Sequence, residues 1–173
     1  ASYGGLISRI TANEKLFQLL VQTAGRAGRS DKEGEVVFQT NISSNIIDYA
    51  IKQSYLDFYK YEVNRRKLIN YPPFCKISFI TIKGYDEKKV EYAAKTIYNF
   101  LREKNKTLDI LGPNRNVFYK INNEYKYNVA VKYQEDEYKQ LYPLLKYINN
   151  YFADSFSTEK ITITIDNFAQ DYI

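Results

Sequence analysis

The sequence contains no histidine, no methionine and no tryptophan, and it has one cysteine in 173 residues. Without histidine, neither a Ser/His nor a Cys/His catalytic pair can be assembled within the chain. A structural zinc site needs about four Cys or His ligands and is excluded on the same count. A lone cysteine forms no internal disulfide, which fits a reducing compartment and predicts a cytoplasmic protein. Cys75 opens an apolar segment, so we expect a buried, inert thiol.

Longer features are missing as well. No apolar run approaches the length of a membrane span, and no signal peptide is visible. No Gly-x-x-x-x-Gly-Lys-Ser/Thr phosphate loop occurs, so the chain has no nucleotide cradle of that kind. The absence of an initiator methionine suggests an excised piece of a longer protein. We therefore expect no membrane partner and no complete nucleotide site.

The composition permits a core but does not specify a ligand. Hydrophobic residues make up 45% of the chain, enough for one medium domain or for one domain with a remnant of another. Lys and Arg number 25 against 20 Asp and Glu, which gives a formal charge of +5. That excess is compatible with nucleic acid but does not require it. The 18 tyrosines accompany abundant Lys, Asn and Ile, which indicates compositional bias rather than a base-stacking device.

One short segment stands out chemically. In Gln22–Arg29, two arginines, Arg26 and Arg29, each directly follow a glycine, Gly25 and Gly28. Glycine lets the backbone approach a ligand closely, and arginine presents a planar, permanently charged fork suited to phosphate oxygens. The pattern can therefore grip a triphosphate and stabilise charge that develops on it. The alternative is a solvated helix end that glycines terminate and arginines stabilise through the helix dipole.

Hydrophobic periodicity predicts the first half of the chain to be mainly helical. Thr11–Glu14 has the form of a capping box at the start of a helix that carries Gln22 to its far end. A short strand is expected over Glu35–Thr40, followed by helices over Ile46–Lys52 and Ser54–Leu68. Leu56, Tyr59 and Val63 are expected to share one face of the last helix, and Arg65-Arg66-Lys67 to supply its C-terminal charge and to pack between domains.

The second half predicts an α+β domain of the order β-α-β-β-α-β, the split-βαβ or ferredoxin-like arrangement. Its six expected elements are Cys75–Lys83, Asp86–Lys104, Asp109–Leu111 leading through Gly112-Pro113 into Val117–Ile121, Tyr125–Tyr133, Glu135–Tyr151 and Lys160–Asp166. Asn122-Asn123 suits a two-residue hairpin turn because asparagine tolerates left-handed backbone. Two apolar helical stripes, one in each predicted helix, are expected to cover a single face of the sheet.

The segment Asn13–Arg29 closely resembles motif VI of superfamily 2 helicases, and in particular that of the PriA family of primosomal, replication-restart DNA helicases. Later blocks resemble the same family in the same order along the chain. They are Asp31–Thr40, Tyr55–Glu62, Arg65–Leu68, Tyr71-Pro72-Pro73-Phe74, Leu111-Gly112-Pro113 and Lys120–Tyr127. The resemblance covers most of the chain, so it is far more specific than one motif.

The resemblance implies a parent protein that is an ATP-dependent helicase moving 3′ to 5′ on DNA. Such a parent uses ATP and Mg²⁺, carries zinc in a separate cysteine-rich module, and binds forked and single-stranded DNA. Its implied partners are single-stranded-DNA-binding protein and other primosome proteins that reload the replicative helicase. This chain would be a C-terminal fragment, inactive alone: residues 1–40 end a RecA-like helicase lobe with its last helix and strand, 41–74 form a helical connector, and 75–173 form the C-terminal α+β domain.

The resemblance also assigns roles to individual residues. Arg29 would be the catalytic arginine finger and Arg26 a second phosphate contact, while Gln22 would couple nucleotide state to lobe closure. Gly25 and Gly28 would complete the nucleotide-binding segment. In the isolated fragment we expect the two arginines to be exposed to solvent and idle.

For DNA contact, the basic residues nearest the Leu-Gly-Pro and hairpin blocks are Arg115, Lys120 and Lys126. The alternative is that they are ordinary charges on a solvated strand edge. Asn122 and Glu124 stand where the family often has arginine, which weakens the expectation of strong contact.

Other functions fit the same fold class. The chain can be a non-enzymatic nucleic-acid or protein-interaction module with a ferredoxin-like fold. An RNA-binding module of this order would show exposed sheet aromatics in a Lys/Arg-Gly-Phe block, and none is present. A small-molecule-sensing domain would leave Gln22–Arg29 without explanation.

Overall fold

A computed structural model describes residues 4–27, 36–37, 39 and 44–167. The chain divides into two compact units, one comprising Arg9–Asn70 and the other Tyr71–Ile173 with Ala1–Ser8. Of the strand predicted over Glu35–Thr40, only residues 36, 37 and 39 are described. The three-part domain division 1–40, 41–74 and 75–173 stays a prediction.

The first unit is helical where it is described. Helix α1 spans Gly4–Ala27, α2 spans Asn45–Ile51 and α3 spans Tyr55–Leu68. The Ser44 side chain caps α2 by accepting a hydrogen bond from the backbone N–H of Ile46 at 3.3 Å. The core joins an aromatic pair from α1 and α3 to aliphatic residues of α1 and α2: Phe17, Leu20, Ile46, Ala50 and Phe58. The rings of Phe17 and Phe58 stack with centroids 4.3 Å apart, which fixes α1 against α3.

Helix α1 does not begin where the capping box was predicted. The helix starts at Gly4 and runs continuously through Thr11–Glu14, so this prediction was wrong. A capping box is a local pattern, and it acts only where the preceding residues leave the helix. Here the preceding residues stay helical, which makes Asn13 and Glu14 interior positions whose side chains are free to reach another helix.

The second unit is an α+β domain built on a four-stranded antiparallel sheet. Its strands are β1 (Lys76–Gly84), β2 (Asp109–Ile121), β3 (Glu124–Tyr133) and β4 (Ile161–Asp166). They lie in the order β2-β3-β1-β4, and every neighbouring pair is antiparallel. Helix α4 (Glu87–Lys104) connects β1 to β2, with Asp86 as its N-cap.

The helical region between β3 and β4 is segmented, whereas one helix was predicted over Glu135–Tyr151. A 3-10 turn at Glu135–Glu137 precedes α5 (Tyr138–Tyr147), a π-helical turn follows at Ile148–Phe152, and α6 (Ala153–Ser157) completes the crossover. Apolar periodicity alone does not separate these helix types because each keeps roughly one face inward.

The core of this unit lies on one face of the sheet, under α4 and α5. The predicted stripes are confirmed, with Phe100 and Leu144 only partly buried at their margins. The buried helix residues are Val90, Ala93, Ala94, Ile97 and Leu101 from α4, and Leu141 and Leu145 from α5. Alternate residues of the two central strands complete the same cluster, namely Ile80, Ile82, Tyr127, Val129, Val131 and Tyr133.

The β2–β3 hairpin confirms the predicted turn and extends the predicted strand. Asn122 and Asn123 take positive φ values of 52° and 63°, the left-handed geometry that a two-residue hairpin favours. Strand β2 continues through Gly112 and carries two register shifts against β3. Gly112 has φ +112°, and a Cβ there would lie 2.8 Å from the carbonyl oxygen of Asn128. Only glycine both adopts this positive φ readily and lacks the Cβ that would clash with Asn128.

We predict that Gly112→Ala destabilises the sheet unit by about 1–3 kcal/mol because alanine cannot adopt this φ and would clash with the neighbouring strand. Gly25→Ala is the matched control, since Gly25 is helical and a Cβ there meets nothing within 4 Å. That change should stabilise its helix by about 0.5–1 kcal/mol. Urea unfolding measures both, and equal effects of the two substitutions would contradict the assignment.

Candidate functional site

The end of α1 presents an exposed polar surface. Gln22 and Arg26 are exposed and lie four residues apart, so they share one helical face. Gly25 lies between them within the helix, with open space where a side chain would project. Gly28 and Arg29 lie outside the described residues. The described part of the predicted nucleotide segment therefore forms one accessible face.

Gly25 leaves the helix backbone uncovered, in keeping with the close approach expected of a glycine. Its backbone is helical, so a positive φ is not what the glycine provides. What it provides is a bare strip of helix beside the Arg26 guanidinium, where another surface can approach the backbone. Arg26 also lies in the last turn of α1, where its positive charge interacts favourably with the negative end of the helix dipole. Both interpretations of the segment, phosphate contact and helix termination, are compatible with this geometry.

A buried carboxylate joins α1 to α3. Glu62 is 3% exposed, and its Oε1 accepts hydrogen bonds from Arg65 Nη2 at 2.6 Å and Arg66 Nε at 3.0 Å. Its Oε2 accepts from Arg65 Nε at 3.0 Å and from Asn13 Nδ2 at 3.0 Å. Arg66 Nη2 reaches across to Glu14 Oε1 at 2.8 Å. We call these five residues, Asn13, Glu14, Glu62, Arg65 and Arg66, the Glu62 clamp.

The donors of the Glu62 clamp determine the ionisation of its carboxyl group. Burial on its own would raise the pKa of Glu62. Hydrogen bonds from Arg65, Asn13 and Arg66, together with the charge of Arg65, outweigh the burial and hold the pKa below its ordinary value of 4.5. Glu62 is therefore ionised at neutral pH, and its oxygens accept without donating.

Sequence reasoning missed the Glu62 clamp although a signal was present. Glu62 precedes Arg65 by three residues and Arg66 by four, the spacings at which opposite charges meet on a helix. The face expected to carry Leu56 and Tyr59 is not the buried one, because these side chains are 60% and 54% exposed. The buried side of α3 instead presents Phe58 and Glu62.

The predicted basic residues of the hairpin separate onto two faces of the sheet. Arg115 lies opposite Tyr127 and Lys120 lies opposite Tyr125. Tyr125 and Tyr127 are two residues apart on β3, so both basic residues lie on one face. In a regular strand, a spacing of five residues would have placed them on opposite faces; the bulge between them brings them together. Lys126 belongs to the other face.

Nearby carboxylates partly offset this basic charge. Arg115 Nη2 lies 2.9 Å from Glu87 Oε1, and Lys120 Nζ lies 4.9 Å from the centre of the Tyr125 ring. On the other face, Glu124 lies 3.8 Å from Lys126 and 3.7 Å from Lys83, the β1 residue that pairs with Lys126. Lys83 is a basic residue that sequence reasoning did not associate with the hairpin.

Other candidate chemistry is limited in the part of the chain that the structure describes. Burial raises the pKa of the Cys75 thiol to about 11, which keeps it protonated at neutral pH and confirms the expected buried, inert thiol. Within that part, no cluster of three Asp, Glu, Cys or His residues could hold a metal ion. None of the helices described there is long and apolar enough to cross a membrane.

The ionisation of Glu62 predicts a loss of stability in acid. The unfolded carboxyl group protonates near its ordinary pKa of 4.5, whereas the folded group stays ionised to lower pH. The stabilisation is therefore complete above about 4.5 and declines as the pH falls toward the folded pKa. Glu62→Gln should cost roughly 1–3 kcal/mol at neutral pH and flatten this decline.

Urea unfolding from about pH 7 to about pH 3, followed by circular dichroism, measures both effects. Glu103→Gln on the exposed side of α4 is the control, because it removes a carboxylate outside the clamp. An unchanged acid slope in Glu62→Gln would be evidence against the assignment.

Known proteins resemble the chain in both of its units. A family profile described as primosomal protein N C-terminal domain matches residues 67–168. The replication restart protein PriA of Bacillus subtilis is 33% identical over 155 residues, covering 88% of this chain and 19% of that protein. Those of Rickettsia typhi and a Synechocystis strain are 36% and 34% identical over 132 and 122 residues. These two alignments cover 76% and 69% of this chain, and 20% and 15% of the respective relatives.

The chain thus spans about a fifth of the length of the curated relatives it matches, consistent with the 19% and 20% that two of them show. The matched profile covers more than half of the chain, including all four strands of the sheet. The expected resemblance is thereby confirmed, and the chain belongs to the PriA replication-restart family, whose C-terminal domain its sheet unit represents.

Proposed function

We propose that the chain is the C-terminal part of a cytoplasmic, ATP-dependent 3′–5′ DNA helicase that binds stalled replication forks and promotes replication restart. One observation carries the proposal most directly. The described part of the segment that resembles motif VI, residues 13–27, lies on a helix whose end exposes Gln22 and Arg26 beside an uncovered Gly25. Such a surface suits a nucleotide presented by another part of a longer protein.

In this proposal the helical unit is part of a larger domain, and the sheet unit is a complete domain. The helical unit ends the second RecA-like lobe and continues into a connector, and the sheet unit has the ferredoxin-like fold. The strand order β2-β3-β1-β4, with helices packed on one face, supports the latter assignment. The fold itself does not specify an activity, so the functional argument depends on the arginines.

Arg29 is the proposed arginine finger and Arg26 the second phosphate contact. ATP and Mg²⁺ would be held chiefly by parts of the parent protein beyond this chain, since the chain has no phosphate loop. The guanidinium groups would approach the γ-phosphate from the opposite side of the cleft and stabilise charge on the transferring group. Gln22, one helical turn before Arg26, would couple the nucleotide state to lobe closure. Gly25 and Gly28 would leave room for the nucleotide to approach the backbone.

We predict that Arg29→Ala in the full-length parent lowers the kcat of DNA-stimulated ATP hydrolysis by roughly 10³–10⁵, the range found for arginine fingers. Arg29→Lys should rescue little because lysine lacks the planar fork. The 173-residue chain alone should hydrolyse no ATP. Phosphate release under steady-state conditions measures all three. Arg102→Ala, on the exposed side of α4, is the control. Steady hydrolysis by the isolated chain would refute the fragment assignment.

The proposed DNA contact is the hairpin face that carries Arg115 and Lys120. The bulged register brings these two side chains to the same face, where Tyr125 and Tyr127 lie opposite them. Lys126 is a weaker candidate because it shares Glu124 with Lys83. Forked and single-stranded DNA are the proposed ligands, and single-stranded-DNA-binding protein and other primosome proteins are the proposed partners.

Charge reversal distinguishes these residues. Arg115→Glu and Lys120→Glu should each weaken fork binding and lower the slope of log affinity against log salt by about 0.9 per lost phosphate contact. Lys126→Glu should have a smaller effect. Lys139→Glu, an exposed change on α5, supplies the matched control. Fluorescence anisotropy on forked DNA across a salt series measures the slopes, and equal effects of all four changes would indicate general charge rather than a site.

A second candidate function is a non-enzymatic nucleic-acid or protein-interaction module. The missing phosphate loop and the offset basic charge favour it. It predicts that Arg29→Ala leaves the ATPase of the parent unchanged while the hairpin variants still lose affinity. The measurement of ATP hydrolysis in Arg29→Ala therefore separates the candidates.

A further inference from the structure

We propose that Glu62 is a positioning residue: it holds α1 in a single register against α3 and thereby fixes where Arg26 projects. This inference rests on the proposed function, in which Arg26 contacts phosphate. It concerns a residue outside the motif VI segment, on a different helix, that makes no contact with a nucleotide itself.

The first step is the layering of the contact between α1 and α3. The Phe17–Phe58 stack forms an apolar layer, with ring planes only 5° apart. One helical turn away on each helix lies the Glu62 clamp, since Asn13 precedes Phe17 by four residues and Glu62 follows Phe58 by four. The aromatic layer supplies apolar contact between the helices, and the adjoining polar layer supplies directed contacts.

The second step is that the polar layer is directional. Stacked rings can slide or rotate over a shallow energy surface, whereas hydrogen bonds weaken steeply when distance or angle changes. The clamp has two independent links between the helices, Asn13 to Glu62 at 3.0 Å and Arg66 to Glu14 at 2.8 Å. Two successive α1 residues, the donor Asn13 and the acceptor Glu14, must be matched together, so a shift of α1 by one residue breaks both links.

The third step is that a buried charge such as the Glu62 carboxylate is, on its own, a poor source of stability. Desolvation offsets much of the attraction in a buried ion pair, and apolar residues of similar volume often serve as well or better. Specifying one register is the best-attested use of buried polar groups. The Glu62 clamp has the features of such a device: a nearly inaccessible carboxylate whose two oxygens each accept two hydrogen bonds.

The fourth step concerns distance. Arg26 lies 13 residues beyond Asn13 on the same continuous helix, about 20 Å at 1.5 Å per residue. A slip of one residue would move the Arg26 backbone by about 1.5 Å and rotate it by about 100° around the helix axis. Misplacement of a catalytic group by about 1 Å can cost roughly 10²-fold in rate. A clamp far from the nucleotide can therefore control the reaction through geometry.

The test uses the full-length parent and two variants that separate positioning from stability. Glu62→Gln keeps the shape but weakens the links. The triple variant Asn13→Leu, Glu62→Met, Arg66→Leu replaces the polar layer by an apolar one. We expect both to lower the kcat of ATP hydrolysis by about 10-fold to 100-fold, with KM for ATP within about two-fold of the native value. The triple variant should keep the native urea midpoint, and Glu103→Gln should change neither quantity.

A double-mutant cycle makes the test independent of whether the triple variant folds. Arg26→Lys retains a positive charge and a measurable rate. If Glu62 acts through Arg26, Glu62→Gln should reduce kcat several-fold less in the Arg26→Lys background than in the native one. Full additivity of the two effects would overturn the inference, as would native kcat in the triple variant.

Failure of the proposed function has a different signature. In that case Arg26→Lys and Arg29→Ala would themselves leave ATP hydrolysis unchanged. Loss of activity in those two variants, with native kcat in Glu62→Gln, would retain the proposed function and reject the positioning role.

Discussion

The helical unit depends on one ionised carboxylate held by donors from two helices. Glu62 receives hydrogen bonds from Arg65 and Arg66 on its own helix and from Asn13 on α1. An unpaired charge at this depth would be costly, so the donors and the acceptor must fold into place together. The arrangement explains why α3 buries a glutamate one helical turn from Phe58.

The sheet unit is stabilised differently, by an apolar core rather than by an ion network. Its helices cover one face of the sheet with side chains such as Ile97 and Leu141, which are fully buried. Its buried polar residues, Ser78, Asn128 and Lys132, lie on the two central strands. The helical unit thus relies on a buried polar contact that fixes the register of its helices, whereas the sheet unit relies mainly on hydrophobic burial. Both units belong to one protein of the same family.

Periodic features were predictable from the sequence because they repeat many times. The stripe from Val90 to Leu101 and the Asn122-Asn123 turn both follow from local rules. Nonlocal facts were not predictable. The pairing of Glu14 with Arg66 joins residues 52 apart, and the π-helical turn at Ile148–Phe152 depends on packing around it. Of the candidate site, the sequence predicted Gln22 and Arg26, which the structure places on one exposed helical face and whose role stays a prediction, whereas Glu62 resembled an ordinary surface charge.

The irregular register of the hairpin separates the length of β2 from the side of the sheet on which its charges lie. Between Arg115 and Lys120 the strand β2 advances five residues while β3 advances two, from Tyr127 to Tyr125. Side chains alternate between the two sides of a regular strand, so an odd spacing would place the two cations on opposite sides. The bulge takes up the difference, and the pairing of each residue with β3 decides which surface carries its charge. A residue gained or lost within the bulge therefore leaves both cations on the same surface as long as the two flanking pairs are kept.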